Sequence, residues 1–175
     1  MTIEEFEKLA SAIASIVTAI SIVIAGWWAY NRFIRQQENY PNLQFVADIN
    51  LIGIQDGEWL IELVAIVENK GKVQHKMSDF TFVLDAIYRT DKLIASENWR
   101  GQVDFSHAIA RGSFLPETMK FFFIDPGVAA KYSYITKLPQ ETTFAILHCN
   151  FTYIDKRNYR HTAERTVKVP NPSGV

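Results

Sequence analysis

Two hydrophobic periods divide this chain. From Leu9 to Tyr30 no charged side chain occurs, and Ile13, Ile16, Val17, Ile20, Ile22, Val23 and Ile24 crowd the run. From Leu43 onward apolar and polar residues alternate, which is the period of a strand rather than a helix. The first run has 22 residues. As a helix it would extend about 33 Å, enough for a hydrocarbon core of about 30 Å. Trp27, Trp28 and Tyr30 stand at its end, where amphipathic rings favour the headgroup level, and Arg32 and Arg35 follow. These five residues are the expected interface anchors.

The alternating part reads as a series of strands. Phe45, Ala47, Ile49 and Leu51 share one face, and Trp59, Ile61, Leu63, Ala65 and Val67 share another. Between them Gln55-Asp56-Gly57-Glu58 is a hairpin signal, because Asp-Gly readily takes positive φ. Asn69-Lys70-Gly71-Lys72 is a second turn. Phe80, Phe82, Leu84 and Ala86 form the next stripe. Residues 89–101 are irregular, and Val103, Phe105, His107 and Ile109 alternate again. Strands are then expected over 119–124, 132–138, 142–153 and 159–169, separated by Asp125-Pro126-Gly127, Pro139 and residues 155–158. The pattern predicts a mainly β fold, an antiparallel β-sandwich or barrel-like domain of seven to nine strands, behind one N-terminal transmembrane α-helix.

The expected division is 1–8 as a short extracytoplasmic tail, 9–30 as the transmembrane helix and 31–41 as a juxtamembrane helix and linker. Residues 42–170 form the cytosolic β domain, and 171–175 a flexible tail. Orientation follows from flanking charge. Glu4, Glu5 and Glu7 precede the span and Arg32 and Arg35 follow it, so the positive-inside rule puts the C-terminal domain in the cytoplasm at the inner membrane. Within the span Ser11, Ser15, Thr18, Ile22, Ala25 and Ala29 recur at alternating spacings of four and three, the seam of a left-handed helix pair or bundle. Ala12, Ile16, Ala19, Val23 and Gly26 make a second stripe beside it. A homo-oligomer is expected from these small faces.

Composition narrows the rest. With 48% hydrophobic and 13% aromatic residues the chain is not disordered, and its single cysteine, Cys149, excludes an intrachain disulfide framework. The net charge of −1 argues against duplex nucleic acid as a partner. The charge is uneven: residues 1–68 carry three positive and nine negative side chains, residues 69–175 fifteen and ten. Much of the positive excess lies in one stretch. Lys156, Arg157, Arg160, His161, Arg165 and Lys168 fall within thirteen residues, opposed by Glu164 alone. Such groups hold phosphates through charge-assisted hydrogen bonds, or lie against anionic headgroups. Period-2 alternation puts Arg165 and Thr166 on opposite faces, so the basic groups cannot all converge.

No Gly-rich phosphate loop, Walker lysine motif or nucleophile elbow occurs, and neither a cofactor nor catalysis is expected. His75, His107, His148 and His161 are not paired at a metal-ligand spacing and are expected to be structural. His148 and Cys149 are strand neighbours that point to opposite faces, so they cannot form a dyad, and Cys149 is expected in the core.

The segment Trp27-Trp28-Ala29-Tyr30-Asn31-Arg32-Phe33 ends the span, and Pro41 and a β domain follow. With Phe123-Ile124-Asp125-Pro126-Gly127-Val128 and Phe151-Thr152-Tyr153, this looks like small bacterial single-span membrane proteins with a cytosolic β domain. In architecture it is also similar to the transmembrane-plus-β effectors of CRISPR and cyclic-oligonucleotide antiviral systems. That resemblance implies a cytosolic domain that binds a cyclic nucleotide or other anionic ligand and a membrane segment that responds. The alternative expectation is a membrane-tethered scaffold that recruits a protein partner through a sheet face or edge.

Overall fold

The computed structural model describes residues 3–32, 41–96, 101–154 and 159–171. Helix α1, Ile3–Tyr30, is followed by eight strands among the described residues. These are β1 (Leu43–Gln55), β2 (Glu58–Asn69), β3 (His75–Tyr88), β4 (His107–Ser113), β5 (Phe122–Ile124), β6 (Ala129–Pro139), β7 (Thr142–Tyr153) and β8 (Arg160–Lys168).

The segment Phe6–Tyr30 of α1 is long and apolar enough to cross a membrane, and none of it is buried against the rest of the chain. The helix starts earlier than the apolar run, at Ile3, so its first turns include Glu4 and Glu7. Carboxylates there meet the positive end of the helix dipole. Three of its hydroxyls bond within the helix: Ser15 donates to Ser11 O (2.9 Å), Thr18 to Ala14 O (2.8 Å) and Ser21 to Val17 O (2.8 Å). At the C-terminal end the rings of Trp27 and Tyr30 stack at 6.4 Å, and the Arg32 guanidinium lies 4.8 Å from the Trp28 ring centre. Asn31 and Arg32 continue in a wider, π-type turn. Arg35 and the expected extension of the helix towards Pro41 lie outside the described residues.

Two antiparallel sheets face each other. One is β1-β2-β6; the other is β4-β3-β7-β8, with β5 extending the β4 edge along β3. The β1–β2 turn has Asp56 at φ 53° and Gly57 at φ 76°, the positive pair that a two-residue hairpin matching strand twist requires. The inner faces supply one core. Ala47, Ile49, Ile61, Leu63 and Val67 from the first sheet meet Phe82, Leu84, Leu147 and Phe151 from the second. Phe80 sits at its centre, 4.9 Å from the Phe122 ring and 5.0 Å from those of Phe114 and Tyr132. Cys149 is 1% exposed within this core, and burial pushes its thiol up to about 12.

Two strand expectations need correction, and β3 carries an irregularity of its own. Pairing in the 119–124 segment is confined to 122–124, because Met119 N bonds Pro116 O and forms a turn instead. Val103 and Phe105 precede β4, where Val103 makes only an isolated bridge to Ala95. β3 begins at His75 and contains a bulge between Ser78 and Thr81, with Asp79 at φ 53°. The extra residue resets the alternation, so Met77 and Phe80 both face inward.

Asn69 ties one end of the sandwich together. Its buried side-chain amide donates to Val73 O (2.9 Å) and Ile124 O (3.0 Å), and its Oδ1 accepts from Gly71 N (2.9 Å). Its backbone N–H donates to Val128 O and its carbonyl accepts from Gly127 N. Beside it, Lys70 N donates to Asn42 O (2.8 Å).

Candidate functional site

Strand β8 disperses the basic residues that the sequence groups. Arg160, Thr162, Glu164, Thr166 and Lys168 point outward, whereas His161, Ala163, Arg165 and Val167 point towards the other sheet, as their pairing with inward residues of β7 requires. Arg165 Nε reaches Asp48 Oδ1 of β1 at 3.1 Å, closing the sandwich edge. His161 Nδ1 is 2.9 Å from Tyr153 Oη, and its ring meets Phe45 edge-on at 5.7 Å. Burial lowers the His161 pKa, which favours the neutral ring. Arg160 and Lys168 remain exposed at opposite ends of the strand, about 26 Å apart at 3.3 Å per residue. Lys156 and Arg157, with the 155–158 turn, lie outside the described residues.

A concave site lies elsewhere, on the outer face of the β3-β7-β8 sheet. Registers place Asp85 opposite Ile146 and His148 opposite Glu164, so outward side chains from three strands form one floor. The connection between β3 and β4 covers it. Its two arms are joined by the Ala95–Val103 bridge, by Ser96 N to Gln102 O (2.7 Å) and by Asp104 N to Ile94 O (2.9 Å). Its base is fixed by stacked Tyr88 and His107 rings, 3.8 Å between centres. Asp91 Oδ2 lies 2.9 Å from His107 Nε2 and accepts from Tyr88 N at 2.7 Å.

The covered space has two adjoining parts. A polar cleft of about 260 Å³ is lined by Asp85, Ser96, Asp104, His148 and Glu164. An apolar one of about 360 Å³ is lined by Ile87, Leu93, Phe144 and Thr166. Gln102, Val103, Phe105 and Ile146 border both, so the two are continuous. In the polar part His148 Nδ1 and Glu164 Oε1 are 3.0 Å apart. The Asp85 carboxyl pKa is raised by burial first and by Asp104 as well, while His148 and Arg111 pull against that shift. Among the described residues no three His, Cys, Asp or Glu side chains are placed to hold a metal ion.

Asp85 and Glu164 on the floor and Asp104 on the covering connection repel phosphate and attract a cation or a group rich in N–H donors. The apolar part offers aliphatic and aromatic surface to whatever that group is attached to. Sequence reasoning missed this set because Asp85 lies 63 residues before His148, His148 and Glu164 meet only through strand register, and the other members belong to an irregular connection. A signal was nevertheless present. Asp85 breaks an outward run of Val83 and Ile87, and His148 breaks the run of Phe144 and Ile146.

No family model matches the chain, and no curated protein matches it. Among solved structures it is similar to the putative ApaA protein from Bordetella pertussis, at 12% identity and TM-score 0.48, covering 74% of this chain and 95% of that one. It is also similar to the sporulation control protein Spo0M from Bacillus subtilis, at 12% identity and TM-score 0.44, covering 71% and 48%. Likeness at this level says nothing of activity.

Proposed function

We propose that this chain is a single-pass membrane protein whose β-sandwich is a small-molecule-binding module. The observation that carries the reading is the continuous polar and apolar cleft floored by Asp85, Ile146 and His148 and bordered by Gln102 and Phe105. The ligand class that suits it is a compact molecule with a cationic or donor-rich end and a flat apolar body. The span Phe6–Tyr30 anchors the module, and Arg32 after an acidic N-terminal flank favours a cytoplasmic sandwich. Binding then signals through the tether or through association of α1. The resemblance to antiviral effectors rests on layout and contributes no residue to this cleft.

A second reading has its own support. The outer edge of β6 is unpaired among the described residues, and it carries exposed Tyr134 and Ile135. An extended peptide from a partner could add to this edge, which suits the scaffold role.

The test is calorimetric titration of the full chain in lipid nanodiscs with an arylalkylamine, the matching arylalkyl carboxylate and a cyclic dinucleotide. The amine binds and the carboxylate does not. Glu164→Gln weakens the amine by roughly 10- to 150-fold, the worth of one charge-assisted hydrogen bond of about 1.5–3 kcal/mol. Cyclic dinucleotide binding that disappears with Arg160→Ala and survives Glu164→Gln would instead establish an anionic-ligand site on the β7–β8 hairpin.

A further inference from the structure

A second exposed patch gathers at the end of the sandwich where the chain arrives from α1. The pairing of β5 with β3 sets Phe123 opposite Lys76. Phe123 is 55% exposed, Phe121 43% and Met119 51%, although nearby Phe122 and Ile124 are buried. Lys76 Nζ lies 3.7 Å from the Phe121 ring centre, and Lys120 is exposed between Met119 and Phe121. Ile154, also exposed, donates its N–H to Lys76 O at 3.0 Å. Of the acidic groups nearby, Glu117 is exposed two residues before Met119, and Asp125 accepts a hydrogen bond from Gln74 at 2.6 Å.

The Asn69 clamp fixes this patch relative to the tether. Ile124 and Val128 bond Asn69, and the adjoining Lys70 bonds Asn42, the residue before β1. From Arg32 to Pro41 there are nine residue steps. At most about 3.5 Å each, they reach about 30 Å. If α1 spans the bilayer, this end of the sandwich is held within that distance of the headgroup layer.

We infer that Met119, Phe121 and Phe123, with Lys76 and Lys120, dock the sandwich onto the anionic surface of the bilayer that holds α1. The inference rests on the reading of α1 as a membrane span. Aromatic and thioether side chains suit the boundary between headgroups and acyl chains, and lysines beside them suit lipid phosphates. The ring beneath Lys76 keeps that ammonium pointing out of the fold. Docking fixes how the cleft over β3, β7 and β8 is presented to solvent.

The experiment places single cysteines in the full chain at Phe123, at Gln55 on the far end of β1, and at Ile20 inside α1. Native Cys149 is buried and does not compete for label. Each variant carries a bimane fluorophore in nanodiscs with and without phosphatidylglycerol. Nitroxides on lipid headgroups quench the fluorophore at 123 about twofold or more and leave the one at 55 unchanged. Lys76→Glu with Lys120→Glu removes most of the quenching at 123. Acyl-chain nitroxides quench the fluorophore at 20. Quenching at 20 without quenching at 123 overturns the docking while leaving the span intact. An unquenched fluorophore at 20 overturns the span, and the docking with it. A spectral shift at 123 that ignores nitroxides and grows with the number of chains per disc would assign the patch to a second copy and also overturn lipid docking.

Discussion

Asp85 is costly to the fold wherever it is charged. Its carboxyl pKa is raised in the sandwich, mainly by burial, and returns to near 3.8 on unfolding. Between those two values the folded chain binds more protons than the unfolded one, so stability falls as pH rises through that window. Above the raised pKa of the folded state that loss is complete. Asp85→Asn therefore raises Tm at neutral pH, and the advantage shrinks as pH falls to the ordinary carboxylate range. Thermal unfolding followed by circular dichroism checks both statements. An unchanged neutral-pH Tm would mean that His148 and Arg111 fully offset the burial. Gain of stability on removing a charge is what a site selected for binding, rather than for folding, displays.

At the scale of elements, β4 shows how an irregular edge strand is held. Gly112 lies opposite Phe82, and a Cβ at position 112 would stand 2.9 Å from the Phe82 ring. The ring covers the glycine, so the edge gains packing where it lacks a side chain. Gly112→Ala forces Phe82 off its position and costs about 1–3 kcal/mol, the usual cost of overpacking. Chemical denaturation measures it, and a loss below about 0.5 kcal/mol would show that the ring moves freely.

Elements with a clean period were legible in the sequence. The β1–β2 hairpin could be read from alternation plus Asp56-Gly57, and the inward stripe from Phe80 to Ala86 from alternation alone. The strand at 119–124 misled because Phe121, Phe122 and Phe123 are all apolar, and only pairing with β3 decides which faces inward. The bulge at Asp79 leaves no mark on a period-2 pattern that resumes after it. The basic stretch was legible as charge but not as a site. Arg165 finds Asp48 and His161 finds Tyr153 only after two sheets have come together. The cleft was illegible for the same reason, since Asp85, His148 and Glu164 become neighbours through register.

For the whole molecule, the open question of assembly lies in α1. Its side chains are exposed along its length, and the hydroxyls of Ser15 and Thr18 are turned to their own backbone. The seam of Ser11, Ser15, Thr18, Ile22, Ala25 and Ala29 is thus smooth and small, the surface that close helix approach needs. Replacing Ser15 and Ala25 with Leu thickens that seam. The detergent-solubilised protein then shifts to smaller species in light-scattering mass measurements. An unchanged mass would assign assembly to the sandwich or to the Ala12–Gly26 stripe.

The Asn69 clamp also has a consequence in time. A ribosome delivers α1 first, then the β1–β2 hairpin, and Asn69 emerges 59 residues before Val128, the last of its partners. At roughly 5–20 residues per second, that is a wait of about 3–12 s. Through the whole interval the first sheet lacks β6 and the opposing sheet lacks β7 and β8, so the inner faces of β1 and β2 are at best partly covered. The newborn hairpin spends those seconds tethered to the helix that preceded it, with much of its sticky face still open. Nascent chains halted before residue 128 are consequently the species of this protein most in need of a chaperone.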